Sequence, residues 1–211
     1  VCQYSPIIVI HNLTKKAPKG VIMLANSKLE GEIQINDFSH DSEDLFELDG
    51  STGWVADQIR ELENIEDAED EGKTYNPGKM QVTLKIQRKS KKPLGEHLVI
   101  RGKLNASYMT PCVRCLELTA MSVEAKFSSC FLHNHLEEAP EFKETASVFA
   151  DNEEMDLYFY DKGQVDLKEM VHEQLFMEVD QLALHDPDCK GLCGQCGVNL
   201  NTETCAHSQE S

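Results

Sequence analysis

Two Cys-x-x-Cys pairs constrain this chain more than any other feature of its sequence. Cys112-Val-Arg-Cys115 lies in the middle of the 211 residues, and Cys193-Gly-Gln-Cys196 lies near the C-terminal end. A Cys-x-x-Cys turn directs two thiolates toward one ion, and four thiolates are the usual ligand set of a closed structural zinc site. The two pairs therefore predict one structural Zn²⁺ site with Cys112, Cys115, Cys193 and Cys196 as ligands.

The distance between the pairs leaves a second arrangement open. They are separated by 77 residues, much more than the loop of a local zinc ribbon, so a shared site requires the fold to bring them together. The alternative is a site confined to the C-terminal segment. It would contain Cys189, Cys193 and Cys196, with either Cys205 or His207 as the fourth ligand.

Disulfide formation and thiol redox chemistry are the other uses of paired cysteines. Residues Val1 to Pro6 carry no basic charge, and the apolar run from Ile7 to Ile10 is too short for the core of a secretory signal. We therefore expect a reducing compartment. In such a compartment, cysteines at this spacing are metal ligands more often than disulfide partners.

Charge is distributed unevenly along the chain, whose formal net charge is −17 at pH 7. Sixteen acids and one base fall between Glu30 and Glu71, whereas nine bases and one acid fall between Lys73 and Lys103. Because phosphate contacts depend on lysine and arginine, the overall charge disfavours a general polyanion binder. The asymmetry predicts an acidic arm followed by a basic hairpin.

Alternation of apolar and polar residues predicts three strands in the middle of the chain. The apolar faces are Val82, Leu84 and Ile86; Leu98, Ile100, Leu104, Ala106 and Tyr108; and Met121, Val123, Ala125 and Phe127. Strands with one apolar face are typical of a half-buried antiparallel sheet. We expect residues 88–95 to form a basic hairpin loop, and residues 112–115 to lie at the turn between the second and third strands.

Helical patterns flank this sheet. Apolar residues at helical spacing predict a helix from Trp54 to Glu66. Asp166-Leu-Lys-Glu169 resembles a capping box and predicts a second helix that ends near Val179. Shorter strands are predicted at residues 7–10, 21–25, 29–35 and 157–160. No apolar stretch approaches the roughly twenty residues of a membrane span, so we expect no membrane partner.

The predicted fold class is therefore α+β. An antiparallel sheet, with closure into a barrel as one option, would form the core, joined by a few helices and a cysteine-rich zinc-knuckle C-terminus. Residues 1–77 would form an N-terminal segment with the acidic arm, and residues 78–211 the sheet, helix and tail, packed with it as one unit. The sequence contains no phosphate-binding glycine loop, nucleophile elbow or His-Glu-x-x-His motif, which argues against an enzyme.

Three stretches of the chain resemble a known family. They are Pro111-Cys112-Val-Arg-Cys115-Leu116, the Asp166-Leu167 pair with the helix after it, and the tail Cys189-Lys-Gly-Leu-Cys193-Gly-Gln-Cys196-Gly-Val-Asn199-Leu200-Asn201. Together they resemble the YceD-like family over about Gly78 to Cys205. Its members in bacteria and plastids are linked to accumulation of the large-subunit ribosomal RNA, so the resemblance implies the bacterial cytoplasm or, in a plant or alga, the plastid stroma. Family members often have a proline after the second tail cysteine and end in Cys-x-Cys, where this chain has Gly194 and Cys205-Ala-His207.

This resemblance implies a non-enzymatic factor that supports accumulation of the large-subunit (23S) rRNA and assembly of the large ribosomal subunit. Together with the basic hairpin, it predicts direct contact with the phosphates of large-subunit rRNA or its assembly intermediates. The predicted contact residues are Lys85, Arg88, Lys89, Lys91, Lys92, Arg101 and Lys103. The same residues could instead form a solvated charged edge that prevents sheets from aggregating.

Two further functions stay open. In the first, the chain is an adaptor whose acidic arm, residues 30–71, binds basic ribosomal proteins without contacting RNA; salt would weaken such binding. In the second, the chain is a zinc-dependent or thiol enzyme. The second is disfavoured because four cysteine ligands would close the position that catalytic zinc keeps open for water.

Overall fold

The computed structural model describes residues 21–23, 29–40, 42–63 and 78–209. The described residues form nine strands and two α-helices. The strands are β1 (Val21–Met23), β2 (Glu32–Gln34), β3 (Glu43–Asp49), β4 (Lys79–Lys91), β5 (Gly95–Pro111), β6 (Leu118–His133), β7 (Ser147–Ala150), β8 (Glu153–Tyr160) and β9 (Gln164–Asp166). The helices are α1 (Gly53–Glu63) and α2 (Leu167–Met177).

Seven strands form one sheet in the order β1-β3-β4-β5-β6-β8-β7, and β2 pairs with β9 in a separate ribbon. β3 to β6 are antiparallel neighbours, whereas β1 runs parallel to β3 and β8 runs parallel to β6. The predicted α+β class is confirmed. In the described ranges the sheet stays open, with β1 and β7 at opposite edges, so it does not close into a barrel.

Strand register places the predicted apolar faces on one side of the sheet. Val82 of β4 lies opposite Leu104 of β5, which lies opposite Ala125 of β6, and all three are buried. Two residues before Leu104 on the same strand, Gly102 lies opposite Phe127 of β6. A Cβ atom at Gly102 would lie only 2.0 Å from Phe127 Cζ, so the glycine leaves the space that the ring fills.

The two helices cover this apolar face and hold each other in place. The buried Gln58 of α1 donates from Nε2 to the Lys168 carbonyl of α2 at 3.1 Å. Asp166 caps α2 as predicted, because its side chain accepts from the Glu169 amide at 2.8 Å. At the end of α1, the buried Glu63 carboxylate accepts from the amides of Gly78 and Met109 at 2.8 and 3.2 Å. Residues 29–40 and 42–63 therefore contribute to one core with the sheet.

The opposite face of the sheet is divided into two parts. At one end, Val99, Cys130, Leu132 and Met155 form a second buried cluster under the segment that connects β6 to β7. At the other end, Thr83, Lys85, Lys103, Lys126 and Ser128 line an open polar depression of about 520 Å³. The sheet therefore buries most of one face and only part of the other.

Several element boundaries differ from the sequence-based expectations. The predicted hairpin loop is shorter, because β4 continues to Lys91, which pairs with Gly95 at the start of β5. The predicted strand at 29–35 is reduced to β2, and the strand predicted at 157–160 begins earlier, at Glu153. The predicted strand at 7–10, residues 24–25 of the strand at 21–25, residues 64–66 of the first helix, and residues 41 and 64–71 of the acidic arm lie outside the described residues. Neither α1 nor α2 is long and apolar enough to cross a membrane.

Because Phe127 occupies the space beside Gly102, we expect Gly102→Ala to lower the free energy of unfolding by about 1–3 kcal/mol through overpacking. Urea denaturation measures this change. Gly50→Ala is the control, since a Cβ atom there would meet nothing within 4 Å. Equal stability of the two variants would contradict the proposed close packing.

Candidate metal centres

The first Cys-x-x-Cys pair forms the turn between β5 and β6, as predicted. The Cys112 amide donates to the Glu117 carbonyl at 2.8 Å, and the Leu116 amide donates back to the Cys112 carbonyl at 2.9 Å. These bonds fold residues 112–117 into a tight knuckle. Both thiols are buried, with relative exposures of 0% for Cys112 and 5% for Cys115.

The second pair folds into a knuckle with the same backbone bonds. The Cys193 amide donates to the Val198 carbonyl at 2.8 Å, and the Gly197 amide donates to the Cys193 carbonyl at 2.8 Å. Gly197 has a φ of 73°, in the left-handed region where glycine carries no steric penalty. The turn therefore directs the thiols of Cys193 and Cys196 to the same side.

The chain between α2 and the second knuckle packs against the first knuckle. The Val113 amide donates to the Ala183 carbonyl at 2.9 Å, and the Leu192 amide donates to the Arg114 carbonyl at 3.0 Å. The Arg114 guanidinium donates to the Cys189 carbonyl at 2.9 Å. Gly191 has a φ of 76°, and a Cβ atom there would lie 3.0 Å from the Arg114 carbonyl oxygen, so this approach requires glycine.

This packing produces two groups of cysteine and histidine among the described residues. The inner group is Cys112, Cys115, His185 and Cys189, and the outer group is Cys193, Cys196, Cys205 and His207. Within each group, the candidate ligand atoms lie within 4.8 Å of one another, so each group could hold a metal ion.

The geometry of the inner group fits a tetrahedral ion. Cys112 Sγ lies 3.8 Å from Cys189 Sγ, and Cys115 Sγ lies 3.2 Å from His185 Nδ1. Zinc–sulfur bonds of about 2.3 Å at tetrahedral angles separate two sulfurs by about 3.8 Å. The donor set of three thiols and one imidazole matches the softer divalent ions, and not calcium or magnesium, which prefer oxygen ligands.

The structure groups the four predicted ligands differently from the single predicted site. Cys112 and Cys115 do not share a group with Cys193 and Cys196. The physical reason is the order of packing: residues 183–192 cover the first knuckle and supply two residues to it, while the second knuckle folds back onto the chain that follows it. The alternative site in the tail is also changed, because Cys189 joins the inner group and both Cys205 and His207 join the outer one.

His185 is the member of these groups that the sequence analysis missed. Its position four residues before Cys189 was the available signal, because this spacing occurs in cysteine–histidine metal sites. The Asp-Pro-Asp segment between the two residues is a pattern that indicates a break in the chain, and so drew attention away from a ligand. The described structure shows that the break is the turn that brings His185 onto the first knuckle.

The surroundings of the inner group favour ionisation of one thiol, that of Cys112. Burial opposes ionisation of Cys112, but hydrogen bonds from His185 and from neighbouring backbone amides prevail and lower its pKa to about 5. Burial, together with the nearby sulfurs of Cys189 and Cys112, raises the pKa of Cys115 to about 11. The hydrogen bond to Cys112 raises the pKa of His185. Binding of a divalent cation here would therefore release protons.

The outer group is more accessible. Backbone amides of Cys196 and Gln195 lower the pKa of Cys193 to about 6, whereas burial raises the pKa of Cys205. Cys193 is buried, but Cys196 and His207 are exposed. The two groups thus offer the same donor types in different surroundings, one enclosed and one open to solvent.

A short hydrogen-bonded segment links the two groups. Asn201, from the loop of the outer group, donates from Nδ2 to the Cys189 thiol at 3.4 Å. Its Oδ1 accepts from the Lys190 amide at 2.8 Å, and the Leu200 amide donates to the Gly191 carbonyl at 3.0 Å. The outer loop therefore orients a ligand of the inner group, as residues behind a metal ligand commonly do.

The seven predicted RNA-contact residues differ in their surroundings. Five form ion pairs in the described part of the chain: Lys85 with Glu43, Arg88 with Glu96, Lys89 with Asp151, Arg101 with Asp151 and Glu153, and Lys103 with Glu124. The other two, Lys91 and Lys92, are exposed at the hairpin tip, and no ion pair involves them among the residues described. Much of the predicted basic surface is therefore neutralised by acids from other strands.

Comparison with known proteins identifies relatives for the C-terminal half. The family model described as large ribosomal RNA subunit accumulation protein YceD matches residues 100–211, which include both cysteine–histidine groups. No solved structure gives a significant match.

Two curated plant proteins are similar to the chain, and both are named large ribosomal RNA subunit accumulation protein YCED homolog 1, chloroplastic. The Zea mays protein is 30% identical over 111 residues, which cover 43% of this chain and 37% of that protein. The Arabidopsis thaliana protein is 27% identical over 148 residues, which cover 62% of this chain and 44% of that protein. The chain spans less than half the length of these relatives. Because the family match extends over more than half of its residues, the chain belongs to the YceD family.

Proposed function

We propose that this chain is a non-enzymatic factor that supports accumulation of the large-subunit rRNA, and that two structural zinc ions hold its C-terminal half together. The observation that carries the proposal is that the family match spans both cysteine–histidine groups. The names of its relatives refer to the same role and to the chloroplast. We infer that the chain acts in the bacterial cytoplasm or in the plastid stroma.

Zinc is the metal that we propose for both groups. Each group offers three thiols and one imidazole, a combination found in closed structural zinc sites. Four protein donors leave no position for a reactive water, which supports a structural role and not a catalytic one. The inner group would join the β5–β6 turn to chain positions more than seventy residues away, where a crosslink restricts the unfolded chain strongly.

The hairpin tip is the part of the basic surface that we propose to contact RNA directly. Lys91 and Lys92 are exposed and have no ion pair in the described residues, so their charge remains available for phosphate. Lys89 and Arg101 both bind Asp151, and would have to give up that contact first. The proposed RNA contact is therefore narrower than the seven residues expected from the sequence.

Metal analysis tests the zinc assignment. We expect two zinc ions per chain in the wild type, and one in each of the Cys189→Ser and Cys205→Ser variants, because each substitution removes a ligand from one group. The Cys189→Ser variant should also lose roughly 4 kcal/mol of stability, because loss of a buried metal is among the most damaging changes. Elemental analysis and urea denaturation provide the measurements.

Cys130→Ala is the matched control, since Cys130 is buried but belongs to neither group. It should keep both ions. If Cys112→Ser and Cys193→Ser each removed all the zinc, the single shared site would be supported instead, and our assignment of two sites would be wrong.

Charge reversal tests RNA contact at the hairpin tip. The Lys91→Glu/Lys92→Glu variant should bind large-subunit rRNA fragments more weakly. The salt dependence of log K should fall in slope by about 1.4, the value for two lost contacts to a single strand. Filter binding over a salt series measures both quantities. The control is Lys143→Glu/Lys162→Glu, which changes two exposed lysines elsewhere and should bind as the wild type does. Equal loss in both variants would argue against a specific contact.

The cellular role is tested by the ratio of large-subunit to small-subunit rRNA. In cells depleted of the protein, this ratio should fall, and expression of the wild type or of Cys130→Ala should restore it. The Cys189→Ser variant should fail to restore it, because the zinc-held tail would be lost. Quantitative analysis of total RNA provides the ratio. An unchanged ratio after depletion would overturn the proposed function.

A further inference from the structure

The two knuckles share a backbone but differ in the side chains that they present. Leu116 occupies the position after the second cysteine of the first knuckle, where Gly197 stands in the second, and their amides make the same bond at 2.9 and 2.8 Å. Val113 likewise stands where the second knuckle has Gly194. The first knuckle therefore carries two apolar side chains at positions that the second leaves bare.

Leu116 is in an unfavourable conformation that its own packing does not explain. Its φ is 63°, close to the 73° of Gly197, and bulky residues are rare in this left-handed region. The side chain is 65% exposed, so burial within the chain does not compensate for the strain. Gly197 shows that glycine forms the same turn. Folding alone therefore does not account for a leucine at this position.

Two more exposed apolar residues lie on the segments that meet at the inner group. Val113 is 51% exposed and Leu182 is 72% exposed. The segments that carry them are joined by the bond from the Val113 amide to the carbonyl of Ala183, the residue after Leu182. We call Val113, Leu116 and Leu182 the knuckle patch. Exposed apolar residues that cluster in this way mark interaction sites more often than isolated ones do.

The surroundings of the knuckle patch are acidic. Glu117 follows Leu116 directly, the Asp180 side chain accepts from the Leu182 amide at 2.8 Å, and Asp186 lies near His185. The sequence contains no lysine or arginine between Lys168 and Lys190. Arg114 lies within the knuckle, where its guanidinium donates to the carbonyls of Pro187 and Cys189, and its single positive charge is outnumbered by the three carboxylates. Such a surface repels phosphate and attracts cations.

We propose that the knuckle patch docks a basic protein, whose contact surface has apolar side chains between lysines and arginines. The apolar patch supplies the buried centre of the contact, and the acids around it supply a complementary rim. This proposal does not involve the RNA contact at the hairpin tip. It rests on the proposed function only because proteins of the large ribosomal subunit are chosen as probes. The inner metal group positions the patch because it fixes the knuckle that carries Val113 and Leu116.

The test uses the full-length, zinc-loaded protein and purified basic proteins of the large ribosomal subunit as probes, one at a time, in biolayer interferometry. At least one probe should bind the wild type, and binding should weaken as salt increases. The Leu116→Gly variant should bind that probe about ten-fold more weakly. Its melting temperature should be unchanged or higher by about 2–4 °C, because glycine relieves the strained φ.

Phe149→Ser is the matched control, because Phe149 is 73% exposed on β7, at the edge of the sheet. It should keep full affinity for the probe. The proposal is overturned if no probe binds the wild type, if Leu116→Gly binds as tightly as the wild type, or if that variant loses affinity for an rRNA fragment instead. A lower melting temperature would also overturn it, since Leu116 would then serve packing. None of these outcomes affects the zinc content or the rRNA ratio, which test the proposed function separately.

Discussion

The C-terminal half of this protein depends on the contact between residues 183–192 and the β5–β6 turn. Backbone bonds from Val113 to Ala183 and from Leu192 to Arg114 attach the tail to the sheet, and they bring Cys189 and His185 onto the first knuckle. The sheet ends there, where strand pairing no longer holds the backbone. A contact between segments so distant in sequence has a large loop-closure entropy to overcome, which hydrogen bonds alone offset poorly. Three cysteines and a histidine that could hold a metal ion converge at this point, which is consistent with that requirement.

The sequence predicted the central sheet well because its side chains alternate between core and solvent. Val82, Leu104 and Ala125 were assigned to one face from this period, and the register aligns them. The cysteine spacing likewise identified the knuckles, since the backbone of a Cys-x-x-Cys turn is a local property. Which other residues join each knuckle depends on contacts between distant parts of the chain. Spacing alone does not reveal that the tail reverses at Asp186 to Asp188, and so the roles of His185 and Cys189 required the fold.

The charged residues show the same division between local and distant information. A run of lysines and arginines predicted a basic hairpin, and the described structure contains that hairpin. Whether a lysine or arginine side chain is available to bind phosphate depends on its neighbours across the sheet. Asp151, more than fifty residues beyond Lys89 in sequence, lies at the end of β7 and binds both Lys89 and Arg101. The net charge of a segment therefore overstates the number of cations that are free to bind phosphate. Lys91 and Lys92 at the hairpin tip are the exception, since no ion pair involves them among the described residues.

The short segment between Cys189 and Cys193 has a further consequence. Only Lys190, Gly191 and Leu192 separate a donor of the enclosed group from a donor of the open one, and Asn201 bonds to this segment from the other side. If both groups bind zinc as proposed, binding of one ion should strengthen binding of the other. The first ion restricts a segment that the second also needs, so the ordering entropy is shared between them. Metal uptake would then be cooperative, with loaded and empty chains outnumbering those that carry a single ion.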